Sequence, residues 1–235
     1  ELICERAGVL NLGIEGIMTI GALVGWTTVY LGGDLSTGIL VAAVVGASFG
    51  LLHAFFSVYL GASQHVTGIG ITLFASSIGY YSFRLLLPSS TTPPKITAFQ
   101  PLEIPFFSDI PFLGIALFQH TAFTYFAFLM IPAVFWLMNK TPLGLSIKVA
   151  GENPMALEAQ GLDVLFVRTI ALMLGSSLMA LGGAYLTMSA FDAFYFGMVN
   201  GRGWIAIALV IFASWQPFRV LLGAILFAGL DAFQV

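Results

Sequence analysis

From Val9 to Leu87 the chain carries three formal charges, Glu15, Asp34 and Arg84. A stretch so poor in charge cannot form the exterior of a water-soluble domain, in which about a quarter of all residues are charged. The rest of the sequence agrees: of 235 residues, 59% are hydrophobic and 8% charged, and the mean hydropathy is +0.99. Lipid is the solvent that fits such a surface. An ordinary soluble enzyme, a disordered chain and a nucleic-acid binder with a basic face are thereby excluded. Cys4, the single cysteine, has no internal partner for a disulfide, and no Cys/His spacing suits zinc. No metal, cofactor or catalytic residue is expected.

A spanning helix needs about 20 apolar residues. Seven stretches qualify: Val9–Leu31, Thr37–Leu60, Thr67–Leu87, Gly114–Met138, Phe166–Met188, Phe194–Trp215 and Arg219–Val235. The fold class is therefore all-α, a polytopic transmembrane helical bundle of about seven spans with a glycine-rich, broken first span. One transmembrane domain covers 1–235. The charged start at Glu1 and the apolar close at Val235 read as a fragment of a longer protein, truncated at both ends. Residues 88–113 form a loop: six prolines between Pro88 and Pro111 forbid a helix. Residues 139–165 are the most polar part of the chain.

Lys and Arg in short loops set orientation. Lys140, Lys148 and Arg168 place the segment 139–168, which includes the 139–165 loop, in the cytoplasm, and 88–113, with one Lys and two acids, outside. Alternation puts Arg6 and Arg219 inside. Trp26, Tyr30, Trp136, Tyr195 and Trp215 fall near span ends, where interfacial aromatics belong. Phe191, Phe194, Tyr195 and Phe196 read as part of that belt.

The sharpest local signal is Gly8-Val-Leu-Asn11-Leu-Gly13-Ile-Glu15-Gly16. A carboxylate inside a membrane helix costs at least about 2.5 kcal/mol and faces a cavity or the bundle interior. Asn11 and Glu15, four apart, are expected on one helix face. Three glycines weaken the helix and admit a neighbouring backbone. Two readings stand: a polar patch on a translocation path, or a buried clamp between helices. Gln64 and His65, at a span boundary, are further candidates to line a path.

In the polar segment, Asn153 is placed to cap a helix that has Pro154 at its first position and Gly161 at its end. The helix, about 154–160, is too short to stand alone. It presents Met155, Ala156, Leu157 and Ala159 for docking. Gly46-Ala-Ser48-Phe-Gly50 fits a nucleophile elbow, but inside an apolar helix it reads as a packing face, as do Gly21 and Gly25. His53 reads as a hydrogen-bonded packing residue. Arg202, between glycines, snorkels toward the outer interface or serves at a docking surface or in the outer cavity.

Glu5-Arg6-Ala-Gly8-Val-Leu-Asn11-Leu-Gly13-Ile-Glu15-Gly16-Ile-Met18 resembles the signature E-R-x-G-x-x-N-x-G-x-E-G-x-M of permease subunits of bacterial ABC importers for nucleosides and ribose-type sugars. Thr141–Leu162 is similar to that family's coupling loop, with Leu157 where a small residue is usual. Gly201-Arg-Gly-Trp204 through Pro217 resembles G-R-G-F-x-A-x-A-x-x-I-F-G-x-W-N-P, and Ala62–Gly68 is a looser match to A-N-E-x-x-S-G.

The resemblance implies a permease that works by alternating access in the bacterial inner membrane. It implies a separate ABC ATPase subunit, an extracytoplasmic substrate-binding protein and a second homologous permease, with a heterodimer plausible. No Gly-Lys pair exists to build a Walker A loop in this chain. In this reading Asn11, Glu15, Gln64 and His65 are the substrate-pathway residues. Gly151, Glu152, Asn153, Pro154, Ala156, Glu158 and Gly161 are the residues that couple to the ATPase. The alternative is an ion-coupled secondary transporter or channel that uses Glu15 as a proton or cation site.

Overall fold

The computed structural model describes residues 1–87, 93–103 and 118–233. A short helix, α1 (Leu2–Arg6), is followed by a non-helical stretch over 7–13 and then by α2 (Ile14–Tyr30). α3 (Leu35–Ala54) runs on through a π-helical turn, Phe55–Tyr59, and α4 (Gln64–Leu86) follows. Two short strands, β1 (Pro101–Glu103) and β2 (Gln119–Thr121), pair antiparallel with Leu102 opposite His120. Then come α5 (Ala122–Lys140), α6 (Pro142–Glu152), α7 (Pro154–Ala159) and α8 (Val164–Tyr185), the last extended by a π turn, Leu186–Ala190. α9 (Arg202–Phe212) and α10 (Pro217–Phe233) complete the order.

Helix starts follow local chemistry. Thr121, Thr141, Asn153 and Asp163 each accept a backbone N–H of the turn they open, which satisfies a donor that has no partner within the helix. α8 lies at the centre, against α2 and α3. Small residues make that possible. A Cβ at Gly46 would sit 2.5 Å from the Ser176 carbonyl oxygen, and one at Gly50 equally close to that of Leu172. Gly21 meets Ala180, and Gly25 meets Ala184 and Met188. Lipid tails are as apolar as side chains, so close backbone packing drives association here. The packing faces expected at Gly21, Gly25, Gly46 and Gly50 are present.

Leu40, Val44, Leu51, Leu129 and Leu222 are exposed, as a lipid-facing surface requires. Among the described residues, three helices are long and apolar enough to cross a membrane: Leu35–Tyr59, Ala122–Lys140 and Val164–Ala190. α2, α9 and α10 are apolar but shorter, and α4 is diluted by Thr, Ser, Gly and Tyr. Two expected spans are interrupted. The first breaks over 7–13, and only Arg202–Phe212 of the sixth is helical.

Ends that the charge pattern assigns to one side lie together. On one side, Trp26 Nε1 donates to the Pro94 carbonyl, and Ile96 and Phe99 donate their amides to Asp192 and Met188. On the other, α1, the 139–165 segment and Trp215 meet. The expected loop over 88–113 is non-helical at 93–100 and contains β1; residues 88–92 and 104–117 lie outside the described residues. The β1–β2 pairing had no sequence signal.

Candidate functional site

The break at 7–13 is the structural centre of the molecule's polar chemistry. Non-helical backbone inside a membrane protein must find partners within the protein, and here side chains supply them. Gln64 accepts the Leu10 amide at 2.9 Å and donates to the Gly8 carbonyl at 3.3 Å. Glu1 accepts the Asn11 amide, and Thr72 donates to the Leu12 carbonyl at 2.9 Å. Arg168 Nε donates to the Ala7 carbonyl at 3.1 Å. Asn11 is fully buried. Its Oδ1 accepts the Gly13 amide, and its Nδ2 donates to Ser176 Oγ at 3.0 Å on α8. α4 comes close enough that a Cβ on Gly68 would lie 2.8 Å from the Leu12 amide nitrogen.

Asn11 and Glu15 do not share a face, contrary to the four-residue spacing. Asn11 precedes α2 in the non-helical stretch and turns to α8. Glu15 is in the first turn of α2 and turns to α9. Its Oε1 accepts the Gly201 amide at 2.7 Å and its Oε2 the Gly203 amide at 2.9 Å. A carboxylate thus caps the N-terminus of α9, where free amides and the helix dipole favour negative charge. Gly201 sits at φ +81°, a conformation that suits glycine, and a Cβ on Gly203 would lie 2.7 Å from Glu15 Oε2. The other end of α9 is held as well. The Trp215 indole donates to Glu5, and the Arg6 guanidinium lies 5.9 Å from the Trp215 ring centre.

The polar segment comes to the same place. Arg6 pairs with Glu152 at 3.4 Å. Gly151 lies against the Arg6 carbonyl and the Gly8 amide so closely that a Cβ there would collide with both. Arg168 Nη2 donates to the Ala150 carbonyl at 3.0 Å. Beyond this contact α7 projects. Asn153 Oδ1 accepts the Ala156 amide at 3.1 Å, Pro154 is the first helical residue, and Gly161 takes φ +78° just past the end. Met155 is 81% exposed, and Glu158 and Gly161 are exposed too. Leu157 is only 2% exposed and packs with Ile147, Val164 and Val167. It is therefore not presented for docking: it anchors the helix, and its size is irrelevant to the outer face.

His65 is exposed at the start of α4. Several other side chains differ from their sequence reading. His53 is fully buried, yet neither ring nitrogen has a hydrogen-bond partner among the described residues, so it is a packing residue without the expected bond. Arg202 is half-buried and donates to the carbonyls of Met198 and Val199, partners that the sequence did not signal. Trp26 and Phe194 are fully buried. Phe194 packs on Phe83 at 5.0 Å between ring centres, and the segment 93–99 covers Trp26, which removes both from the interfacial belt. Arg168 is the residue that sequence reasoning missed. It counted only as a cytoplasmic charge, and nothing in its apolar surroundings marked its two carbonyl partners.

The four motifs read in the sequence are thus one structure. Glu5–Gly16 is the hub, and 201–217, 150–152 and 64–68 each fasten to it. Comparison with known proteins fits this arrangement. The family described as branched-chain amino acid transport system, permease component, matches residues 1–234. A Haloferax volcanii protein named a glucose ABC transporter permease is 36% identical over 239 residues, covering 100% of this chain and 71% of its own length. The guanosine ABC transporter permease of Bacillus subtilis is 34% identical over 96% of this chain and 72% of its own. The nucleoside ABC transporter permease of Lactococcus lactis is 31% identical, with 98% and 75% covered. No solved structure matches.

Proposed function

The chain belongs to the branched-chain amino acid transport system permease family, and from that premise we propose that it carries nucleosides or simple sugars inward across a bacterial inner membrane by alternating access. It is a membrane-spanning permease subunit of an ABC transporter, a transport component and not an enzyme. Such a subunit works with an ATPase and a substrate-binding protein. The solute class rests on the named substrates of the relatives, guanosine, nucleosides and glucose.

In this proposal seven spans cross the membrane, with α1 and 139–165 in the cytoplasm and 88–113 outside. A second homologous permease completes the path as a heterodimer. α7 docks on the ATPase through Met155, Ala156 and Glu158, with Gly151, Glu152, Asn153, Pro154 and Gly161 shaping the loop around it. The observation that carries this is Met155, exposed on a six-residue helix that has no stability of its own. Asn11, Glu15 and Gln64 act as a clamp that supports the path, a role their backbone and α8 partners favour. His65, the exposed member, faces solute. The ion-coupled alternative has no support from the family, and both Glu15 oxygens are engaged by backbone amides.

The solute is tested by a thermal-shift panel of nucleosides and pentoses on the cognate binding protein. A stabilising nucleoside or simple sugar is expected; a response to branched-chain amino acids alone overturns the assignment.

A further inference from the structure

Two observations stand beyond the function just given. Arg168, near the start of α8, spreads its guanidinium over two separate backbone segments, bonding the Ala7 carbonyl at 3.1 Å and the Ala150 carbonyl at 3.0 Å. Around that fork Gly8 and Gly151 are in backbone contact, a Cβ on Gly8 lying 3.1 Å from the Gly151 Cα, and Arg6 meets Glu152. The last turn of α6, the break and α8 are thereby one rigid block just ahead of α7. At the far end of the same segment, Glu15 holds Gly201 and Gly203 at the N-terminus of α9. α9 is eleven residues long, about 16 Å at 1.5 Å per residue, and begins after a non-helical stretch over 191–201. A half-helix of that kind, tied at both ends to residues 5–15, follows that segment when it is displaced.

We propose that Arg168 is a positioning residue that makes the α7 loop and the first-span break move together, and that Glu15 passes this displacement to α9. The inference rests on the reading of α7 as the ATPase contact. A planar fork with fixed donors suits the task, because it holds both carbonyls at one relative position. A lysine ammonium also has several donors, but as a mobile point charge on a flexible stem it does not fix the two carbonyls at one relative position. Asn11, Gln64 and Thr72 stiffen the stretch between the two ends, so that a push at Ala7 arrives at Glu15 instead of dissipating in loose backbone.

The test uses the complete transporter, with its ATPase and binding protein, in proteoliposomes. Solute transported per ATP hydrolysed is measured for Arg168→Gln, Arg168→Lys and Glu15→Gln. Arg168→Gln is expected to lower the ratio about tenfold while hydrolysis continues, a coupling loss of the usual allosteric size. Arg168→Lys should fall between it and wild type. The double variant Arg168→Lys/Glu15→Gln should be no worse than its poorer parent, since both act on one route. Where Arg168→Gln does not assemble, the lysine variant and the double variant decide. A wild-type ratio in Arg168→Lys and Glu15→Gln, or effects that simply multiply, overturns the relay. Met155→Cys cross-linking to the ATPase separates the two readings. A cross-link with an unchanged ratio removes only the relay, whereas no cross-link removes the docking of α7 itself.

Discussion

Glu15 holds the one carboxylate placed inside an apolar run near the start of the chain, and it spends both oxygens on backbone amides. Glu15→Gln keeps the shape but turns one acceptor into a donor that faces an N–H. The expected cost is about 1–3 kcal/mol of stability, the penalty of a donor left unsatisfied out of water, read as a lower unfolding midpoint of the purified transporter. An unchanged midpoint would remove Glu15 from the clamp. Asn11→Leu strands Ser176 Oγ and the Gly13 amide together and should cost a similar amount by the same measurement. Gly203→Ala places a methyl against Glu15 and is expected to destabilise α9 although alanine is the better helix former. Should that variant be more stable than wild type, the close approach is wrong. At this scale the sequence identified the polar residues and their types. It misplaced the direction of Asn11 relative to Glu15, because a spacing of four shares a face only within a helix and Asn11 lies in the break ahead of α2.

Helix boundaries were the most legible part of the elements. Asn153, Pro154 and Gly161 were read as start and stop of a short helix, and α7 occupies Pro154–Ala159 with that cap. Asn153→Ala should cost about 1 kcal/mol of local stability and weaken ATPase binding in co-purification. Full binding with a frayed loop, seen by faster amide exchange over 153–160, would argue against docking by a formed helix. Glu158→Arg reverses an exposed charge on the docking side and is expected to separate hydrolysis from transport with the fold intact; normal coupling would mark the segment as a plain connector. The packing glycines also read true, because small residues four apart mark close helix contact in any apolar setting. Leu157, Trp26 and Phe194 did not. Whether a large apolar residue faces lipid or protein depends on what the rest of the chain lays over it. The same chemistry serves both surroundings, so hydropathy carries no directional signal.

For the whole molecule the energetic source is the decisive property. Uptake should stop when ATP is depleted and survive collapse of the proton gradient; the opposite pattern would return Glu15 to the role of an ion site. Charge scarcity alone established that lipid surrounds most of this chain, since so few charges cannot solvate a surface of this size. The motifs established the family. Apolar runs point to about seven spans with a broken first one; among the described residues three helices have the length and apolarity to cross, and others are short or broken. Composition measures how apolar a stretch is, not where side-chain partners allow its backbone to leave the helix. The sequence by itself thus determined the solvent, the helical class, the caps and the list of polar residues, all of which depend on neighbours along the chain. Only the tertiary structure decided that four motifs meet at residues 5–16, with Arg168 and Glu15 at its two ends. Hydrogen bonds between residues more than 150 positions apart leave no local trace.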